Sequence, residues 1–250
     1  MSVEKTDAIV LHTYNLQESS KIVVLLTPVR GKVRAVAKGV RRTKSKFGSA
    51  LEPVTHIEAQ IHYKEGRDLQ TLSQAETRES FQPIRSDLTR LGLASMMCEL
   101  MEQFVQEDEE SSREFVLLLL SLRTLATIVK NYESLLIAFY MKLLDISGLL
   151  PEVNCCVRCK GGLQGNTYLD AGAGGALCAR CSAGMGEKVS AGGLKMMQRL
   201  HSADWVMLER IRLPKASADE VLGALNGYVL HHTGREVRSG KFLRALSGSA

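Results

Sequence analysis

Aromatic side chains are scarce in this chain, at 5% of 250 residues with a single tryptophan. Proteins that sequester single-stranded nucleic acid by its bases usually stack them on several aromatics, so this composition argues against that mode. Long apolar runs are also missing. Phe115–Leu120 is a representative run, against the about 20 residues that a bilayer-crossing helix needs. The opening Met1-Ser2-Val3-Glu4-Lys5-Thr6-Asp7 lacks a cationic stretch leading into an apolar one and does not read as a secretory leader. A cytoplasmic protein with no membrane association is therefore expected, and its six cysteines should be thiols or metal ligands rather than disulfides. Catalytic signatures are absent too. No glycine-rich loop ends in G-K-S or G-K-T, no G-x-S-x-G occurs, and the six histidines show no H-x-x-x-H spacing. The chain is expected to bind rather than to act as an enzyme.

Acidic residues are missing from one stretch in particular. Between Arg30 and Lys46 there is no Asp or Glu, while Arg30, Lys32, Arg34, Lys38, Arg41, Arg42, Lys44 and Lys46 contribute eight cations. The first four fall on even positions with Val33, Ala35 and Ala37 between them. In a strand that parity places the charges on one face and the apolar residues on the other. Eight uncompensated cations repel one another unless a polyanion lies across them, and a nucleic-acid backbone is the natural candidate. These eight are the expected DNA-binding residues. With about six phosphates neutralised, log affinity for single strands should fall against log salt with a slope near −4. The net charge of the whole chain is only +5, so the informative quantity is distribution. Glu107-Asp108-Glu109-Glu110 forms an opposite block, which suggests a second surface with a different partner.

The hydrophobic period changes near residue 80. Before it, strand character marks Ala8–His12, Ile22–Leu26, Lys32–Lys38, Val54–Tyr63 and Leu69–Ala75, with glycine and proline punctuating most gaps. The fourth is clearest, with Ile57, Ala59, Ile61 and Tyr63 on one face and His56, Glu58, Gln60 and His62 on the other. Five strands in so short a span fit a small barrel, an OB-fold first and an SH3-like barrel second. After Pro83 the period becomes helical. Leu93, Met97, Leu100 and Phe104 share a face; a second helix starts after Ser111 or Ser112; a third carries Leu135 to Ile146 and stops at Gly148. Ser217 with Glu220 forms a capping-box pattern ahead of Val221. The helices from 84 to 230 read as one bundle with a cysteine-rich interruption. The expected class is α+β, with an OB-fold domain over 1–80, then a helical domain over 81–250 that contains a zinc-ribbon insertion at about 151–186.

That interruption holds the most specific motif. Cys156-Val-Arg-Cys159 and Cys178-Ala-Arg-Cys181 are two C-x-x-C pairs separated by 18 residues, the spacing of a zinc ribbon. Two such knuckles complete a tetrahedron at Zn–S distances of about 2.3 Å. Four thiolates close the coordination shell, so one structural Zn²⁺ per chain is expected rather than a catalytic one. Cys155 with Cys159 is a second permitted register. The glycines at 161, 162, 165, 172, 174 and 175 leave the intervening segment unable to hold a shape unaided, and metal would supply on the order of 10 kcal/mol.

Several segments together carry a resemblance: Thr6-Asp7-Ala8-Ile9-Val10-Leu11, Gly31-Lys32-Val33-Arg34-Ala35-Val36-Ala37-Lys38-Gly39, the Lys195–Leu200 helix and Arg238-Ser239-Gly240-Lys241-Phe242-Leu243. The order of basic barrel, helical domain, paired C-x-x-C after Gly148-Leu149-Leu150-Pro151 and a final helix agrees as well. The chain resembles the bacterial RecO family of repair and recombination mediators. The resemblance implies binding of single- and double-stranded DNA, annealing of complementary strands, and work with RecR, and often RecF, to load RecA onto strands coated by single-strand-binding protein, whose acidic tail many members contact. It also implies a nucleoid-associated location. A second DNA contact could lie at Arg158, Lys160 and Arg180, or at His231, His232, Arg235, Arg238, Lys241 and Arg244. An RNA-binding module and a nuclease using Asp108, Glu109 and Glu110 are the competing readings, although adjacent acids at a helix end point in divergent directions. Tyr14, Phe47 and Tyr63 are stacking candidates whose ordinary fate is barrel packing.

Overall fold

A computed structural model describes residues 2–16, 18–40 and 45–240. Two compact units divide the chain, one of Met1–Ala126 with the segment from Ser239, the other of Thr127–Arg238.

The first unit is built on a closed barrel with strand order β1-β2-β3-β5-β4, the five-stranded OB-type architecture. β1 (Ser2–Asn15) is long enough to serve both sides of the closure. Its first part pairs antiparallel with β4 (Thr55–Tyr63). Its last part pairs with β2 (Lys21–Thr27), and a register shift between Val10 and His12 marks the bend where the strand changes partner. β2 pairs antiparallel with β3 (Gly31–Ala37). β5 (Gln70–Glu79) pairs with β4 along most of its length, but meets β3 in parallel only over Ala35–Ala37. The N-terminal half of β3 is therefore left without a strand on that edge.

Alternation of burial follows the pattern read from the sequence. Ile57, Ala59, Ile61 and Tyr63 join Val33, Ala35, Ala37, Val23 and Leu25 in the core. Phe47, Ala50 and Leu51, from the turn segment between β3 and β4, fill the same interior. His56 lies on the face opposite Ile57, yet it too is buried. It is buried because Phe115 stacks edge-on against it and the Asp7 and Glu79 carboxylates take its two ring nitrogens at 3.0 and 3.1 Å. Its cover comes from a helix some sixty residues later, out of reach of a local pattern.

α1 (Gln82–Arg85), α2 (Leu88–Phe104) and α3 (Ser112–Thr127) complete this unit. The Asp87 carboxylate caps α2 by accepting from the amides of Thr89 and Arg90. Helices expected to form one bundle are thus shared between two units, since α2 and α3 cluster with the barrel.

In the second unit α4 (Tyr132–Ile146) is buried almost all round, consistent with its unbroken apolar run. The Ser134 hydroxyl donates to the Ile211 carbonyl and Tyr140 donates to Asn226. A three-stranded antiparallel sheet of β6 (Asn166–Asp170), β7 (Gly175–Cys178) and β8 (Glu187–Ser190), in the order β7-β6-β8, forms the inserted element. The short α5 (Ala179–Ser182) follows β7, and α6 (Ala191–Ser202), α7 (Trp205–Leu208) and α8 (Lys215–Thr233) follow the sheet. The expected capping box at Ser217 is not used. Pro214, with φ fixed at −58°, starts α8 earlier, and the Glu220 carboxylate instead accepts from the Ser190 amide.

Candidate nucleic-acid interface and metal centre

β3 realises the alternating pattern. Val33, Ala35 and Ala37 point inward, Arg34 is exposed and Lys32 is half-buried on the outer face. Lys38 is exposed in the turn that follows, and Lys46 is exposed with its ammonium 5.2 Å from the Phe47 ring centroid. Arg41, Arg42 and Lys44 lie outside the described residues. Of the aromatic candidates, Phe47 and Tyr63 are core residues. Tyr14 is 48% exposed and lies 4.4 Å, centroid to centroid, from the His12 ring.

The first cations are not uncompensated, which corrects the expectation drawn from local sequence. Arg30 donates from Nε to Glu4 at 2.8 Å and from Nη2 to the same carboxylate, while its Nη1 lies 3.3 Å from Asp108. The guanidinium also sits 4.3 Å from the Tyr63 ring centroid. Hydrogen bonding to Arg30 holds the Glu4 carboxyl below its usual range. Burial first, then Glu4, pushes the Tyr63 phenol up to about 12. Lys32 donates to the Glu102 carbonyl at 2.9 Å, in the last turn of α2, where carbonyls lack helical partners and the helix dipole favours a cation. Arg34 pairs with Glu107 at 3.1 Å.

The acidic block therefore belongs to the basic strand and does not mark a separate surface. The segment between α2 and α3 docks along the open edge of β3, with Gly31 bridged antiparallel to Glu107. Lys32 N donates to the Gln106 carbonyl at 2.9 Å, Asp108 N to Arg30 at 3.1 Å and Ser111 N to Pro28 at 2.8 Å. Gly31 makes this approach possible. Its φ is +55°, and a Cβ there would lie 2.5 Å from the Gln106 carbonyl oxygen. The matching of an anion run to a cation run was a sequence signal, but nothing local says that the two meet.

In the second unit one sulfur atom from each of Cys156, Cys159, Cys178 and Cys181 lies within 4.8 Å of the others. A tetrahedron with metal–sulfur bonds of about 2.3 Å has edges of about 3.8 Å, and Cys159 and Cys178 are 3.9 Å apart. Cys155 is outside the cluster, so the geometry favours the register that starts at Cys156. Burial opposes ionisation of Cys156, yet the amides of Cys159, Cys178 and Arg158 aim at its sulfur and bring it down to about 6. The Gly161 amide lowers Cys159 as well. Hydrogen bonding with Cys178 and Cys159 keeps Cys181 protonated, pushed up to about 12. Such a group can hold a metal ion that takes all four sulfurs at once, and it fits zinc. Among the described residues it is the one grouping of three or more potential ligands; Asp108, Glu109 and Glu110 form none.

Of the other basic clusters, Arg158 donates to the Cys181 carbonyl at 2.7 Å and Arg180 is drawn to the Cys159 sulfur. Both are engaged in supporting the knuckles. His231 packs against His232, which packs against Tyr228; Lys241 and Arg244 lie outside the described residues. No described helix is long and apolar enough to cross a membrane.

Comparison with known proteins gives a consistent result along the chain. Residues 1–81 match the family model described as Recombination protein O N terminal, and residues 85–241 match Recombination protein O C terminal. The chain is similar to the DNA repair protein RecO of Symbiobacterium thermophilum, 38% identical over 98% of both chains. Proteins of the same name from Anaeromyxobacter dehalogenans (33%, covering 97% of this chain and 96% of that one) and Streptomyces griseus (34%, 97% and 99%) are similar as well.

Proposed function

The chain belongs to the RecO family of DNA repair proteins, and on that premise we propose that it binds single- and double-stranded DNA without sequence preference and anneals complementary strands. With RecR, and often RecF, it then helps load RecA onto strands coated by single-strand-binding protein, whose acidic tail it contacts. It works in the cytoplasm at the nucleoid. The barrel of residues 1–80 grips DNA, and the remainder, 81–250, carries one structural Zn²⁺ on Cys156, Cys159, Cys178 and Cys181.

The observation that carries this reading is the outward cationic face of β3 and the turn beyond it, combined with Phe47 and Tyr63 packed inward. Annealing requires phosphate repulsion to be offset while Watson–Crick edges stay free. A protein that grips backbones through Arg34, Lys38, Arg41, Arg42, Lys44 and Lys46, and buries Phe47 and Tyr63 in its own core, meets both requirements. Arg30 and Lys32 lie at the same edge, already engaged by Glu4, Asp108 and Glu102.

A strand-annealing assay on purified protein, with zinc content measured on the same sample, tests the proposal. Replacing Lys38, Arg41, Arg42 and Lys46 together by Ala should lower affinity for all sequences alike. It should also flatten the salt dependence by about 0.7 in log–log slope for each phosphate that is no longer neutralised. Annealing at the parental rate by that variant would sink the assignment.

A further inference from the structure

Nucleic acid approaching β3 beside the docked segment meets two guanidiniums that already hold carboxylates. Arg34 is 43% exposed and its partner Glu107 40%; Arg30 is 35% exposed and Asp108 73%. We propose that the segment joining α2 to α3 is a built-in competitor of DNA: Glu107 and Asp108 occupy Arg34 and Arg30 in the free protein and yield them to phosphates on binding. The idea rests on the function proposed above and adds the means by which the same face is held in check.

Three features make exchange feasible without unfolding. The segment is anchored by main-chain hydrogen bonds from Lys32, Asp108 and Ser111, so the carboxylates can swing away while their backbone stays docked. Arg30 keeps its bonds to Glu4 and its place over Tyr63, leaving Nη1 pre-aimed for whichever anion replaces Asp108. Space is available, because Arg30 and Asp108 share a cavity of about 560 Å³ with Tyr63, Lys64, Glu65 and Arg67, and Lys64, Glu65 and Arg67 are exposed there. A phosphodiester entering it gains Arg67 and Lys64 in addition to the guanidinium. Exposed carboxylate–arginine pairs are weak, whereas a phosphate presents more acceptor oxygens to the same fork.

The consequence concerns salt as well as affinity. Carboxylates released by DNA take up salt cations while phosphates release theirs, so the native protein should show a shallower salt dependence than its cation count implies. Titration of labelled oligothymidylate by fluorescence anisotropy at several salt concentrations reads both quantities. Removing the competitor with Glu107→Gln and Asp108→Asn should tighten binding by roughly 2- to 30-fold at low salt. The log–log slope should steepen by up to about 1.4. Asn tolerates the left-handed backbone of Asp108, φ +57°, so the variant should fold. Glu109→Gln with Glu110→Gln alters net charge equally but leaves the two Arg pairs intact. In an Arg34→Ala background, Glu107→Gln should bring no gain. Equal tightening by both acid-to-amide pairs, no tightening by the first, or a persistent gain without Arg34 would each overturn the proposal. If the native protein and all variants fail to bind, the proposed function falls with it.

Discussion

At the scale of single residues the adjacent cysteines Cys155 and Cys156 show how geometry separates neighbours of equal chemistry. Either can start a permitted spacing to Cys159, but only the Cys156 sulfur lies with the other three, and the amides of Cys159, Cys178 and Arg158 aim at it. Cys156→Ser removes one corner of the tetrahedron, so zinc content of the purified protein should fall from one per chain towards zero. Much of the on the order of 10 kcal/mol that such a site supplies should go with it. Cys155→Ser should retain the metal and change stability by within about 0.5 kcal/mol. Metal analysis of the two variants side by side decides the matter, and zinc retained by Cys156→Ser would mean that Cys155 can replace it.

At the scale of elements, β3 and the segment docked on it depend on one backbone position. Gly31→Ala would place a methyl carbon 2.5 Å from the Gln106 carbonyl oxygen and 2.7 Å from that of Glu109 at a left-handed φ of +55°. Both backbones must then separate, at a cost of at least about 2 kcal/mol. Denaturant unfolding should show that loss, and an unchanged midpoint would refute the tight approach. The same element marks what could be read from sequence. Parity in Val33, Arg34 and Ala35 decided which side chains face the core, because strand geometry is local. The C-x-x-C pairs were legible because their spacing encodes the knuckle itself. The partner of Arg34 was not legible, because it lies 73 positions along the chain at Glu107, and charge composition treats attraction and mere coexistence alike. The cover of His56 was not legible for the same reason, since it comes from α3. The start of α8 at Pro214 was not legible because Ser217 and Glu220 form a locally complete capping pattern, while in the fold the Glu220 carboxylate accepts from the distant Ser190 amide.

At the scale of the whole molecule, the two compact units depend on different forces. The barrel closes on itself with a continuous apolar interior, and among its described residues no grouping of three or more potential metal ligands occurs. The unit of Thr127–Arg238 includes a three-stranded sheet whose strands have only four or five residues each, so its stability depends on what packs against it and on what ties its turns. What joins the knuckle at Cys156 to the knuckle at Cys178 is a set of main-chain bonds, from Val157 to Ala176, from Ala176 to Glu152 and from Glu152 to Gly174, with the Arg158 bond to the Cys181 carbonyl and the four sulfurs. Stripping metal with a chelator and a thiol reductant should therefore loosen residues 152–190 and leave the barrel untouched. Hydrogen exchange followed by mass spectrometry reads both at once. Amides of β6, β7 and β8 should lose protection by several orders of magnitude, in keeping with a metal contribution on the order of 10 kcal/mol limited by the stability of the unit that remains. Amides of β1 to β5 should exchange as before. If β1 to β5 lose protection in step with β6 to β8, the metal stabilises the protein as one cooperative body and the independence of the barrel is wrong. If neither set changes, the short sheet is held by its own contacts and the metal is dispensable for the fold.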